Sequence, residues 1–123
     1  MTWKEQLLTR EWNNKRTEIL LRDNFKCQHP GCGKQFEGIE VHHIEYCGDW
    51  KAWEYPNDWL TSLCGQHHNA HHKNLELAER LLLRTLKTRG FLMSDLLALS
   101  AYFETEDQFT QSLLKTIREY QNG

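Results

Sequence analysis

Two short pairs of thiol and imidazole groups constrain this 123-residue chain more than any other feature. Cys27-x4-Cys32 sits in turn chemistry, where Pro30 fixes one dihedral and Gly31 and Gly33 permit tight bends. Cys64-x2-His67 follows about thirty residues later, and two close-spaced pairs at that separation read as one metal site. Three thiolates and one imidazole make an accepted tetrahedral zinc set, so residues 27–67 read as a zinc knuckle. A chain this short buries a modest core, and a structural metal would contribute to its folding. His29, Cys47 and His71 are alternatives to His67 as the fourth ligand. An even count of four cysteines also permits disulfides, which a reducing compartment disfavours. A two-cysteine, two-histidine finger fits poorly, because no partner follows Cys32 at the required spacing.

All seven histidines lie between residues 29 and 72. Most fall in two groups, His42-His43 and His67-His68-Asn69-Ala70-His71-His72. Such clustering points to metal binding or proton transfer. Ile39 to Ile44 reads as a strand, with Ile39, Val41 and His43 on one face and Glu40, His42 and Ile44 on the other. Adjacent His42 and His43 therefore point to opposite sides. A helix from about Gly65 puts His68 and His72 one turn apart on one face. One imidazole of the strand pair can then join them at a metal while the other stays metal-free, suited to act as a general base. A chance doublet is the bland alternative. An unrelated zinc hydrolase, with His42, His68 and His72 around a catalytic zinc, is another.

The rest of the chain reads as α+β, mainly helical. Thr2 with Glu5 suggests a capping box, opening helical segments that reach about residue 22 with a break near Asn13-Asn14. A loop over 46–58 closes on Pro56-Asn57-Asp58, and Leu60 to Cys64 forms a second strand. The helix from Gly65 runs to Arg89-Gly90, its apolar positions Leu75, Ala78, Leu82 and Leu86 stepping by three and four. Ser94 is expected to cap a further helix, and Thr105 with Gln108 to open a last one. Residues 1–90 read as one domain, with a ββα unit at about 39–88. Residues 91–123 read as a helical extension that closes the core, makes a homodimer or docks a larger protein.

Net charge is −2, which by itself marks no nucleic-acid binder. Its distribution is more informative: Lys and Arg outnumber Asp and Glu over 1–34 and again over 73–91, flanking an acidic, histidine-rich centre. No apolar run approaches the roughly 20 residues of a membrane span. The N-terminus lacks the layout of a signal peptide, so a cytoplasmic location is expected.

These residues resemble the HNH endonucleases of the His-Me finger, or ββα-metal, group, and look closest to the small phage and bacterial type. The resemblance covers roughly residues 3–75. It rests on Arg22-Asp23-Asn24-Phe25-Lys26-Cys27 with Cys32, on Glu40-Val41-His42-His43-Ile44, on Trp53-Glu54-Tyr55-Pro56-Asn57-Asp58-Trp59-Leu60, and on Leu63-Cys64-x2-His67-His68-x3-His72. It implies a metal-dependent endonuclease hydrolysing DNA phosphodiester bonds to a 5′-phosphate and a 3′-hydroxyl. His43 would be the general base. His42 and His68 would bind one catalytic divalent ion (magnesium, manganese, nickel or zinc), with His72 a third ligand or phosphate contact. Cys27, Cys32, Cys64 and His67 would hold structural zinc, although the family usually has cysteine where His67 stands. The asparagine that usually precedes the leucine matching Leu60, and orients the catalytic histidine, is Trp59 here. Asn57 or a backbone carbonyl would have to take over that role.

DNA is the expected partner. Lys73, Arg80, Arg84 and Lys87 fall along one stripe of the long helix, where phosphates can lie, and Lys15, Arg16 and Arg22 form a second candidate set. No segment reads as a base-reading helix, so weak sequence preference is expected. Trp50 and Trp53 read as packing residues, with stacking on bases as the other possible role. Trp59 also favours a competing reading, a zinc-stapled nucleic-acid-binding module that has lost catalysis.

Overall fold

The computed structural model describes residues 1–122. Thr2 caps helix α1 (Trp3–Gln6), its hydroxyl accepting the Glu5 N–H at 3.1 Å. The Glu5 carboxylate takes the Thr2 hydroxyl proton instead of reaching the Thr2 N–H, so only half of the expected capping box forms. The chain breaks at Leu7–Thr9 rather than near Asn13-Asn14. Thr9 then caps α2 (Arg10–Arg22) by accepting the Trp12 N–H at 3.2 Å, and α2 runs unbroken through both asparagines. Burial of Trp12, Ile19 and Leu20 on one side of α2 outweighs the middling helix propensity of Trp12 and Ile19.

Asn24, at φ 57°, ends α2 in a Schellman turn. Phe25 N–H reaches Leu20 C=O at 2.8 Å and Asn24 N–H reaches Leu21 C=O at 3.2 Å. Cys27 follows directly. A bridge between Lys26 and Gln35 closes the loop that carries Cys32, and the Gln28 N–H donates to Ser62 C=O at 2.9 Å.

Strands β1 (Ile39–His43) and β2 (Leu60–Cys64) pair antiparallel, with Ile39 opposite Cys64 and His43 opposite Leu60. A 3₁₀ turn at Asn57–Trp59 leads into β2. Arg22 and Asp23 clamp this turn to the end of α2. Arg22 donates to the carbonyls of Asn57 and Leu60, both at 2.7 Å, and Asp23 accepts the Ser62 N–H at 3.1 Å. Arg22 is thus committed to the fold and withdrawn from the candidate DNA contacts. The core gathers Trp12, Ile19, Leu20, Ile39, Val41, Ala52, Tyr55, Leu60 and Leu63 with Cys27 and Cys64.

Helix α3 (Gly65–Thr88) starts on the residue after β2. It ends in a second Schellman turn at Gly90, whose φ of 101° favours glycine. Helices α4 (Met93–Thr105) and α5 (Asp107–Asn122) follow. Ser94 lies inside α4 and does not cap it; the Asp95 carboxylate accepts the Leu92 N–H at 2.8 Å instead. Thr105 closes α4, donating to Ala101 C=O, and does not open α5. Met1–His72 and the chain from Lys73 onward form two compact units, a division that falls inside α3. In the second unit Phe109 packs on Tyr102 and Phe103 at 5.1 and 6.0 Å. None of the described residues after Cys64 is buried, so the apolar periodicity of α3 to α5 closes no core.

Candidate metal centres

Cys27, Cys32, Cys64 and His67 could hold a metal ion, one ligand atom of each lying within 4.8 Å of the others. The turn after α2 delivers Cys27, the bridged loop delivers Cys32, and the β2–α3 junction delivers Cys64 and His67. His67 directs Nδ1 at the sulfurs, 3.6 Å from Cys27 and 3.2 Å from Cys64. All four cysteines are free thiols, so the disulfide alternative does not form. Burial pushes the Cys27 thiol up. Burial raises Cys64 too, but the His67 backbone N–H and its thiol neighbours more than offset this and hold it below the usual thiol range. Of the alternative fourth ligands, His29 stacks on His67 at 3.8 Å, and Cys47 packs beside the core with its N–H on the Tyr55 hydroxyl.

His42, His68 and His72 form a second set meeting the same distance criterion. His42 is 3% exposed on β1, and neither ring nitrogen has a hydrogen-bond partner. Its ring centroid lies 5.1 Å from those of His68 and His72 and 5.0 Å from that of His71. Burial, then repulsion from His68, His71, His72 and His43, pushes the His42 pKa down to about 4, so the imidazole is neutral and carries a lone pair at pH 7. On α3, His68 and His72 bring their Nε2 atoms to 3.0 Å. The Glu40 carboxylate accepts from His68 Nδ1. Sequence reasoning placed Glu40 on the His42 face but gave it no role.

His43 turns the other way, into aromatic surroundings. It is 4% exposed, stacks on Trp12 at 5.1 Å and meets the edges of Trp3 and Tyr55, each at 4.9 Å. Nε2 lies 3.1 Å from the Ala52 carbonyl, which accepts its proton and leaves Nδ1 as the basic nitrogen. Burial lowers the His43 pKa, and the bond to Ala52 raises it only in part. The Ala52 N–H is itself held by the Gln6 side chain at 2.8 Å. A cleft of about 330 Å³ is lined by His43, His68 and His72 together with Trp3, Trp12, Arg16 and Tyr46.

Asn57 does not orient His43. It binds Lys15 and Glu18 of α2, so the Ala52 carbonyl is the group that holds the His43 ring and Lys15 is occupied as well. Trp59 packs with Trp50 and Tyr55 at 5.4 and 6.2 Å, and Trp53 packs against the core, so these tryptophans serve the fold. Lys73, Arg80, Arg84 and Lys87 are exposed on α3 and form no ion pair among the described residues. No helix among the described residues is long and apolar enough to cross a membrane. Comparison with protein-family models, curated proteins and solved structures gives no match.

Proposed function

We propose that this chain is a metal-dependent endonuclease of the HNH, or His-Me finger, type. It hydrolyses DNA phosphodiester bonds at the three-histidine site, with a structural zinc on Cys27, Cys32, Cys64 and His67. One observation carries the reading. His42 is buried without partners beside His68 and His72, while its neighbour His43 is held by Ala52 and lines a cleft with the same two histidines. A purely structural imidazole would not be buried with both nitrogens idle, since an unsatisfied polar group costs about 1–3 kcal/mol. The order β1, β2, α3, with the doublet on β1 and the second histidine group on α3, supports the reading, since a ββα arrangement is what that type requires.

The donor sets fit their groups. Around tetrahedral zinc, sulfur at about 2.3 Å and nitrogen at about 2.0 Å stand roughly 3.5 Å apart. The His67–cysteine separations of 3.6 and 3.2 Å bracket that value. The second set is all imidazole, which suits nickel or zinc better than magnesium, with manganese between. When bound there, a divalent ion supplies Lewis-acid stabilisation of charge on the phosphate and on the departing 3′ oxygen. His43 does the proton chemistry. Water attacks phosphorus, its proton passes to His43 Nδ1, the bond from phosphorus to O3′ breaks, and O3′ takes a proton from solvent, so that a 5′-phosphate and a 3′-hydroxyl result. Burial keeps His43 neutral and ready to accept that proton at pH 7. Lys73, Arg80, Arg84 and Lys87 would meet phosphates without reading bases, giving weak sequence preference.

The test is plasmid nicking with magnesium, manganese, nickel or zinc. His43→Ala should lower the rate about 10²–10⁴-fold. Equal cleavage by the variant would remove His43 as the base. Trp59 favours a second reading, a zinc-stapled binding module without catalysis, because indole offers no acceptor for an imidazole N–H. The Ala52 carbonyl supplies that acceptor, so the nuclease reading stands first.

A further inference from the structure

We propose that the cleft beside His43 is a subsite for one unpaired nucleotide, so that the substrate strand enters the site single-stranded; this rests on the nuclease reading above. At about 330 Å³ the cleft lies at the small end of ligand sites, which span roughly 300–1,000 Å³. It matches one nucleotide and not a base pair with two backbones. Its lining divides by chemistry. Trp3 and Tyr46 are 37% and 50% exposed, with ring centroids 5.7 Å apart, whereas Trp12 is 6% exposed and stacks on His43. The two accessible rings meet edge to face at 67°, so one offers a face on which any base can stack and the other borders it.

Arg16 supplies the charge. It lines the same cleft and makes no ion pair or hydrogen bond among the described residues, while Lys15 and Arg22 of the same helix are both engaged. Glu40 also lines the cleft, but its carboxylate is held by His68. A free guanidinium, two imidazoles of the metal set and a stacking platform in one cleft suit a nucleoside phosphate. The phosphate would lie toward Arg16 and the base against Trp3 and Tyr46.

The experiment uses the zinc-loaded full chain with no second metal added. Tryptophan fluorescence is titrated with a thymidine homo-oligomer and with a duplex of equal length. Quenching is expected, with the single strand bound about tenfold more tightly. Trp3→Leu and Tyr46→Ala should each weaken binding about tenfold, the size of one base–aromatic stack. Arg16→Gln should lower the salt slope by about one. Tyr46 lies on the surface, so Tyr46→Ala tests the platform even where Trp3→Leu disturbs folding, and an unchanged zinc content certifies the variant. Equal affinity for single strand and duplex, or full affinity in Tyr46→Ala, overturns the proposal. Cleavage in manganese separates it from the nuclease reading. Equal cutting of both substrates sinks the subsite and keeps the nuclease. Tyr46-dependent single-strand binding without cleavage in any metal supports the subsite and sinks the nuclease.

Discussion

Glu40 and His68 are joined across β1 and α3, the carboxylate accepting from the imidazole Nδ1. Nδ1 therefore carries the proton and Nε2 keeps its lone pair, facing His72 Nε2 at 3.0 Å. A carboxylate in this position fixes ring orientation and raises the basicity of the ligand nitrogen. Glu40 is 55% exposed at its side chain, so the pair adds little to folding stability. Its effect would fall on the candidate metal set.

Glu40→Ala should therefore weaken nickel or manganese binding at the three-histidine site about 10–100-fold while changing unfolding stability by less than about 0.5 kcal/mol. Calorimetric titration of the zinc-loaded protein measures the first quantity and urea unfolding the second. Unchanged metal affinity would show that His68 needs no carboxylate to hold its tautomer.

The parts of the site that obey a short period were legible in the sequence. Alternation along Ile39 to Ile44 puts His42 and His43 on opposite sides, and a four-residue step puts His68 and His72 together. The bounds of β2 were legible too, because Leu60 to Cys64 stands between a Pro-Asn-Asp turn and a glycine. What escaped depends on groups with no sequence signature. Any residue has a carbonyl, so nothing marked Ala52 as the acceptor for His43. Asn57 had the right side chain and is drawn instead to Lys15 and Glu18. Helix starts were misplaced where two candidate caps compete: Thr9 displaces the break expected at Asn13-Asn14, and Asp95 serves where Ser94 was expected. Arg22 read as a free cation because its partners are carbonyls from residues 57 and 60, far along the chain.

The four-ligand site should be coupled to folding. Cys32→Ser removes one thiolate with little change to the core, since Cys32 is only partly buried at its edge and serine is nearly isosteric. Bound zinc should fall well below one per chain, and the melting temperature should drop on the order of 10 °C or more, because binding energy at such a site is folding energy. His67→Cys should retain zinc, as it supplies another accepted ligand. Metal analysis with thermal unfolding checks both, and a Cys32→Ser protein with full zinc and an unchanged midpoint would remove Cys32 from the set.

Acid should loosen the Arg22–Asp23 clamp. Burial pushes the Asp23 carboxyl up, but hydrogen bonds from Arg22 and Ser62 and the Arg22 charge outweigh it, leaving the pKa below its ordinary value of 3.8. A carboxylate depressed in the folded state stabilises the fold above its unfolded pKa, and that contribution is lost as pH falls through the folded value. Asp23→Asn should cost about 1–2 kcal/mol at pH 7, and the gap between variant and wild type should close as pH falls below 3.8 and through the folded value. Urea midpoints across pH 2–7 report it. Parallel curves for the two proteins would mean that the Asp23 charge contributes nothing.

Gln6 should govern catalysis without touching metal or substrate. It is nearly buried, its Oε1 accepts the Ala52 N–H at 2.8 Å, and the Ala52 carbonyl accepts from His43 Nε2 at 3.1 Å. Removing the side-chain acceptor leaves a buried N–H unsatisfied and frees the 52–53 backbone to shift, taking with it the carbonyl that aims His43. Gln6→Leu fills similar space without an acceptor. It should lower kcat for DNA cleavage about tenfold, the cost of a slightly misplaced base, while leaving KM, zinc content and nickel affinity near wild type. Gln6→Glu keeps an acceptor at the same reach and should recover most of the rate. A merely structural role predicts a lower melting temperature with kcat intact, and that result, or equal kcat for the leucine and glutamate variants, would end the positioning argument.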